Sequence, residues 1–156
     1  MTTIIRRATL DDIDTIATLF DAYRQFYLQP ADLQRAHRWL RDRMQREESI
    51  VLLAARNDVG CGFTQLYRMF SSVHTARVWI LNDLYVSDAA RRSGVARALL
   101  DAAAQFARED GAAGIQLETS CDNAPARALY RAAGWNEDAS QWYSLALQTA
   151  KADAAG

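Results

Sequence analysis

The chain holds only two cysteines and two histidines in 156 residues. Cys61 and Cys121 build no disulfide framework, and neither they nor His37 and His74 stand at metal-ligand spacing, so no metal is expected. Free thiols in a reducing cytoplasm are the expectation. Long apolar runs are scarce too. No stretch is long enough to span a bilayer, and the start Met1-Thr2-Thr3-Ile4-Ile5-Arg6-Arg7 lacks the apolar core of a signal peptide. No membrane partner is expected. Net charge is only −1, so no global field draws the protein toward nucleic acid. The phosphate loops Gly-x-Gly-x-x-Gly and Gly-Lys-Ser/Thr are missing. Repeats, low-complexity tracts and linkers are missing as well. That leaves one expected domain over residues 1–148 and a small-residue tail at 149–156, expected to be disordered.

What is present is ordinary for a globular protein with its own core: half the residues are hydrophobic and 24% are charged. Residues 3–8 read as a strand. Thr9 or Asp11 can cap a helix whose apolar Ile13, Ile16, Ala17, Phe20 and Tyr27 recur near helical spacing. Pro30 suits the first turn of a second helix, with Leu33, Ala36 or His37, Leu40 and Met44 as its buried stripe. The other face of that helix is basic (Arg35, Arg38, Arg41, Arg43, Arg46). Asp42, Glu47 and Glu48 interrupt it and no aromatic ladder accompanies it, so a solvated face outweighs nucleic-acid binding. A lip recruiting an acidic ligand stays open beside it.

Residues 49–56 and 61–70 read as a hairpin turning at 57–60. Strands at 79–86 and 115–119 are joined by a helix, so they should lie parallel with a right-handed connection. Val95, Leu99, Ala102 and Phe106 press that helix onto the sheet, and Gly111 and Gly114 end it. A last strand is expected at 141–147.

The junction Arg91-Arg92-Ser93-Gly94-Val95-Ala96 carries the most chemical information. A helix N-terminus has about four unpaired N–H groups and roughly half a positive charge, so cations are disfavoured there. Two arginines make sense at that end if an anion sits between them and the amides, as phosphates do. Ser93 is a fair N-cap, and Gly94 lets backbone approach a ligand closely. The alternative is a solvated turn whose arginines pair with Asp88 or Asp101.

Leu84-x-Val86 followed by Arg91-x-x-Gly94-x-Ala96 resembles the acetyl-coenzyme A signature of the GNAT superfamily of N-acetyltransferases. Asn123-x-x-Ala126-x-x-Leu129-Tyr130 with Gly134-Trp135 resembles that superfamily's second signature, and the ordered pair is more specific than either half. The wording Leu81-Asn82-Asp83-Leu84-Tyr85-Val86 is similar to the branch of spermidine/spermine and histone- or small-amine acetyltransferases, with Asn82 where a glutamate would stand. The resemblance implies an α/β (α+β) fold. Its sheet would be mixed and mostly antiparallel, of about seven strands with one splayed parallel pair, flanked by about four helices. It also implies acetyl-coenzyme A as cosubstrate and an amine as acceptor; many relatives form homodimers. The coenzyme would lie along Leu84, Tyr85 and Val86, with its pyrophosphate at Arg91, Arg92, Ser93, Gly94, Val95, Ala96 and Arg97. Asn123, Ala126 and Tyr130 would flank the pantetheine, with Tyr130 near the sulfur.

Direct acyl transfer needs an uncharged amine, and at pH 7 roughly one alkylamine in a thousand is uncharged, given an ordinary pKa of about 10.4. A carboxylate near the reacting centre would help, and Asp83 and Glu118 are the candidates; Asp83 also reads as a structural residue paired with Arg77. Tyr130 serves the leaving thiolate by hydrogen bonding, or packs as a helix aromatic. Cys121 as an acyl carrier is disfavoured for want of a nearby histidine. Tyr27 and Phe70, with Phe26, Tyr67 and Trp142, either line an acceptor pocket or fill the core. A non-catalytic acyl-coenzyme A sensor is the rival to an enzyme.

Overall fold

The structure, a computed structural model, describes residues 2–148; the tail at 149–156 lies outside them. A first strand β1 (Ile4–Arg7) leads through a short 3₁₀ turn into α1 (Ile13–Phe26). Asp12 secures this entry, since its carboxylate accepts the Thr9 N–H at 2.9 Å and two Arg6 hydrogen bonds at 2.7 and 2.8 Å. Helix α2 (Leu33–Gln45) starts at Asp32, whose carboxylate accepts the Arg35 N–H at 3.0 Å. Pro30, expected in its first turn, lies ahead of the helix instead.

Strands β2 (Ser49–Arg56) and β3 (Val59–Ser71) form a hairpin closed by Asn57 and Asp58, with φ of 49° and 61°. Two successive left-handed residues are what a two-residue turn needs to match the strand twist. Strand β4 (Ala76–Val86) pairs antiparallel with β3. Helix α3 (Val95–Glu109) then carries the chain to β5 (Gly114–Gln116), parallel to β4, before α4 (Ala124–Ala132). Sheet order is β1-β2-β3-β4-β5.

Both faces of the sheet are covered, which is why β2 reads as a continuous apolar run. Val51, Leu53 and Phe63 face α1 and α2, meeting Ile16, Phe20, Ala36 and Leu40. Ile50, Leu52, Leu66 and Trp79 face α3, meeting Val95, Leu99, Leu100 and Ala103. Each fully buried leucine of α3 contributes about 1.5–3 kcal/mol of apolar burial, and that anchorage fixes where the helix begins. Gly62 lets α3 come close: a Cβ there would lie 2.8 Å from the Tyr85 carbonyl and 3.3 Å from Val95.

Among the described residues the sheet has five strands, not about seven. Residues 141–147, expected as the last strand, pair with no neighbour and stay exposed. Their pattern favours a strand, but strand preference depends on context and is not fixed by the local sequence.

Candidate active site

Strands β4 and β5 stay paired only from Val78–Gly114 to Ile80–Gln116. Past that point β4 runs on to Val86 while the chain leaves β5 through Leu117, Glu118 and Thr119. A cleft of about 360 Å³ opens between them, at the carboxyl ends of the parallel pair where open sheets hold ligands. Leu84, Tyr85 and Val86 form one wall, Leu117, Glu118 and Thr119 the other. Helix α4 closes one side with Asn123, Ala126, Leu129 and Tyr130, and α1 the other with Tyr23, Phe26 and Tyr27.

A bulge shapes the β4 wall. Gln65 pairs with Asp83 and Leu66 with Leu81, so Asn82 is an extra residue without a partner on β3. The bulge flips the alternation. Leu81, Leu84 and Val86 all pack on the α3 side, whereas Tyr85 packs on the α1 side. Asn82 turns into the cleft. Asp83 turns inward, is 2% exposed and lies outside the cleft lining. Its carboxylate accepts from Gln65 Nε2 at 2.6 Å and Asn82 Nδ2 at 2.7 Å. Burial pushes its pKa up, against the pull of those two hydrogen bonds. Arg77, the alternative partner for Asp83, pairs instead with Asp110 at 2.8 Å.

Helix α3 opens toward the cleft mouth. Its N-cap is Gly94, at φ 85°, and no side chain caps the helix. The amides of the first turn therefore stay available, and Ala96 lines the cleft. Ser93, expected as the cap, is held elsewhere. Its hydroxyl donates to the Ala90 carbonyl and accepts from Arg56 Nη2 at 2.8 Å. Arg91 reaches the cleft with its guanidinium 5.6 Å from the Phe26 ring centre and 5.8 Å from that of Tyr85. It pairs with Asp88 at 2.8 Å and donates to the Val86 carbonyl at 3.0 Å. Arg97 bonds Asp101 and the Ala132 carbonyl, and Val95 is in the core. Arg92 and Gly94 are exposed beside the mouth.

Asn123 caps α4, accepting the Ala126 N–H at 3.3 Å. Tyr130 is half-buried against Trp135, and burial raises its pKa. Glu118 is exposed within the cleft, the carboxylate of the two candidates that reaches it. Tyr27 lines the cleft. Phe70, at the far end of β3, is 70% exposed and does not; Tyr67 and Trp142 do not either.

Tyr23 went unnoticed in the sequence, and Asn82 was marked only as standing where a glutamate would be expected. Tyr23 donates from its hydroxyl to the Asn82 carbonyl at 3.4 Å and stacks edge-on against Tyr27 at 5.0 Å. The i, i+4 spacing of Tyr23 and Tyr27 was the available signal.

Parted parallel strands, an uncapped helix start and a flanking tyrosine define a site for an elongated ligand with an anionic end. The chain belongs to the acetyltransferase (GNAT) family, whose sequence pattern matches residues 13–135, and it is an enzyme of the acyltransferase class. It is 46% identical over 134 residues to the uncharacterized N-acetyltransferase YhfO of Bacillus subtilis (strain 168), covering 86% of this chain and 90% of that one. The crystal structure of a probable acetyltransferase superposes with a TM-score of 0.89 at 40% identity, covering 94% of this chain and 99% of that one. A predicted acetyltransferase with acetyl-CoA from Clostridium acetobutylicum shares the fold, with a TM-score of 0.73 at 19% identity and coverage of 93% and 96%. Among the described residues no helix is long and apolar enough to cross a membrane, and no three His, Cys, Asp or Glu residues cluster as metal ligands.

Proposed function

We propose that the protein transfers the acetyl group of acetyl-coenzyme A directly to a primary amine borne on an apolar or aromatic body. The uncapped start of α3 at the mouth of the parted strands is the observation that carries this reading. When bound, acetyl-coenzyme A supplies a reactive acetyl thioester. The first-turn amides of α3 and the guanidinium of Arg91 suit its diphosphate. Beyond Ile80 the β4 edge facing the cleft has no β5 partner, so the backbone at Leu84 is open to pair with an amide-bearing arm, while the Val86 carbonyl is held by Arg91.

Tyr130 donates a hydrogen bond to sulfur as negative charge gathers there. Its raised pKa favours hydrogen bonding over outright proton delivery. On the acceptor side Glu118 holds the ammonium and takes its proton, directly or through water. Asp83, beneath the bulge, fixes Asn82 and with it the β4 wall. Tyr23, Phe26 and Tyr27 offer ring faces to the acceptor's body. Among the described residues Glu118 is the one acidic residue in the cleft lining, which suits a single ammonium better than a polyamine.

The test is a panel of arylalkylamines, amino acids, polyamines, aminoglycosides and peptides, scored by free-thiol release from acetyl-coenzyme A. Turnover should be fastest with the arylalkylamines. Turnover with spermidine alone would overturn the acceptor assignment; binding of acetyl-coenzyme A without turnover of any amine would overturn the enzymatic one.

A further inference from the structure

Helices α1 and α2 enclose a second cavity of about 240 Å³, lined by Phe20 and Arg24 of α1 and by Arg35, Ala36 and Trp39 of α2. None of these five residues lines the cleft. Phe20 and Arg24 stand one helical turn apart, as do Arg35 and Trp39, so each helix turns one stripe into the cavity. Arginine stays charged at any pH a fold survives, and two guanidiniums around one cavity repel unless an anion joins them. The nearby carboxylates are engaged elsewhere. Asp21, three residues before Arg24, accepts from Gln25 Nε2 at 3.2 Å and from the Asp32 N–H at 2.9 Å. Asp32, three residues before Arg35, accepts the Arg35 backbone N–H at 3.0 Å. Among the described residues no carboxylate pairs with the guanidinium of Arg24 or Arg35. Nη1 of Arg24 is moreover buried with no hydrogen-bond partner, and a charged donor shut from water without an acceptor is costly. The rest of the lining is apolar, and its indole is held in place. Trp39 Nε1 donates to the Tyr67 hydroxyl at 3.3 Å, and the Arg43 guanidinium lies 4.3 Å from the Trp39 ring centre.

We propose that this cavity is a second ligand site, separate from the cleft, and that it takes a small aromatic carboxylate. The carboxylate meets the donors of Arg24 and Arg35, whose forked geometry suits it. The ring rests on Phe20, Ala36 and Trp39. A bare anion leaves that apolar wall wet, and a neutral ring leaves Arg24 Nη1 without an acceptor, so recognition needs both halves. The volume lies below the range of about 300–1,000 Å³ that drug-sized ligands fill, which limits the occupant to about one ring and its acid group. Phe20 stacks on Tyr23, a cleft residue, with 6.3 Å between ring centres, so the two sites are neighbours along α1 without sharing a wall.

The test uses the intact chain and phenylacetate as probe, with and without excess acetyl-coenzyme A. Proton–nitrogen NMR follows the indole N–H of Trp39, assigned by its loss in Trp39→Phe. Phenylacetate should shift that resonance saturably, with the same affinity whether or not acetyl-coenzyme A is present. Phenylacetamide has the ring without the charge and acetate the charge without the ring, and each should bind at least about 10-fold more weakly. Arg24→Gln and, separately, Arg35→Gln should weaken phenylacetate by about 10-fold, the scale of one charged hydrogen bond, and leave phenylacetamide unchanged. Arg35 is exposed, so its variant keeps the fold and decides the matter should loss of Arg24 prevent folding. The proposal is overturned if no saturable shift is seen, or if phenylacetamide or acetate binds as well as phenylacetate. Undiminished binding to Arg35→Gln, or displacement of the probe by acetyl-coenzyme A, overturns it too, the last by putting the probe in the cleft.

Discussion

Two carboxylates show how position alone sets the sign of a residue's response to pH. Two hydrogen bonds from Arg6 hold Asp12 down to about 2, whereas burial pushes Asp83 up. Asp12 therefore contributes stability that is present above the ordinary carboxyl value of about 3.9 and lost as pH falls toward 2. Asp83 behaves oppositely: its contribution is complete below about 3.9 and fades as pH rises through its elevated folded value. Asp83→Asn removes the second effect and leaves the first. Urea unfolding at about pH 4, 6 and 8 should show the stability difference moving in the variant's favour with rising pH, then levelling. A flat difference would mean Asp83 ionises as freely as in water. At Tyr130 the raised pKa keeps the hydroxyl protonated through neutral pH. Tyr130→Phe should lower kcat by about 100-fold, the scale of one lost donor to a developing anion, with the acetyl-coenzyme A Kd nearly unchanged. An unaltered kcat would leave Tyr130 a packing residue.

At the scale of elements, the start of α3 matters most. Gly94 sits at φ 85°, yet a Cβ there would meet nothing within 4 Å. Strain and ligand exclusion can therefore be separated by substitution. Gly94→Asn tolerates the left-handed backbone and should keep most of the acetyl-coenzyme A thermal shift. Gly94→Glu sets charge and bulk against the phosphates and should abolish it, while both variants lose some intrinsic stability. The loop ahead of Gly94 is tied to β2, where Arg56 reaches Ser93 Oγ at 2.8 Å and its carbonyl at 3.2 Å. Arg56→Ala should weaken acetyl-coenzyme A about 10-fold, equivalent to roughly 1.4 kcal/mol, with kcat at saturation little changed. Titration calorimetry would detect this, and an unchanged Kd would mean that the loop holds itself.

The hairpin, the parallel pair and the α3 stripe were legible in the sequence because local period and turn chemistry agree with the fold there. The bulge was not. Nothing in Leu81-Asn82-Asp83-Leu84 marks the extra residue, and one such residue exchanges the faces of everything after it. Asp83 and Glu118 were both expected near the chemistry, Asp83 from the resemblance of its position; Asp83 turns inward, and Glu118, on an unpaired stretch, is the carboxylate that reaches the cleft. Residues 141–147 failed differently. Their alternation reads as a strand, yet they form none, because strand preference is settled by pairing context rather than by local pattern.

For the whole molecule, the cleft is a gap between two halves of one sheet, so a ligand that spans it should stiffen both. A ligand held at 100 times its Kd adds about 2.7 kcal/mol to the folded state if it ignores the unfolded chain. In a domain of this size each kcal/mol moves Tm by roughly 2–4 °C. Acetyl-coenzyme A should therefore raise Tm by about 5–10 °C at that saturation, and desulfo-coenzyme A nearly as much, because the diphosphate and pantetheine contacts are shared. Adenosine alone, which cannot reach both walls, should give a far smaller shift at the same multiple of acetyl-coenzyme A's Kd. The basic face of α2 lies away from this gap, as none of its arginines lines the cleft. Replacing Arg38 and Arg41 by glutamine should leave the acetyl-coenzyme A shift intact. A shift that vanished with those two arginines would put the anion on α2 and separate the phosphates from the start of α3.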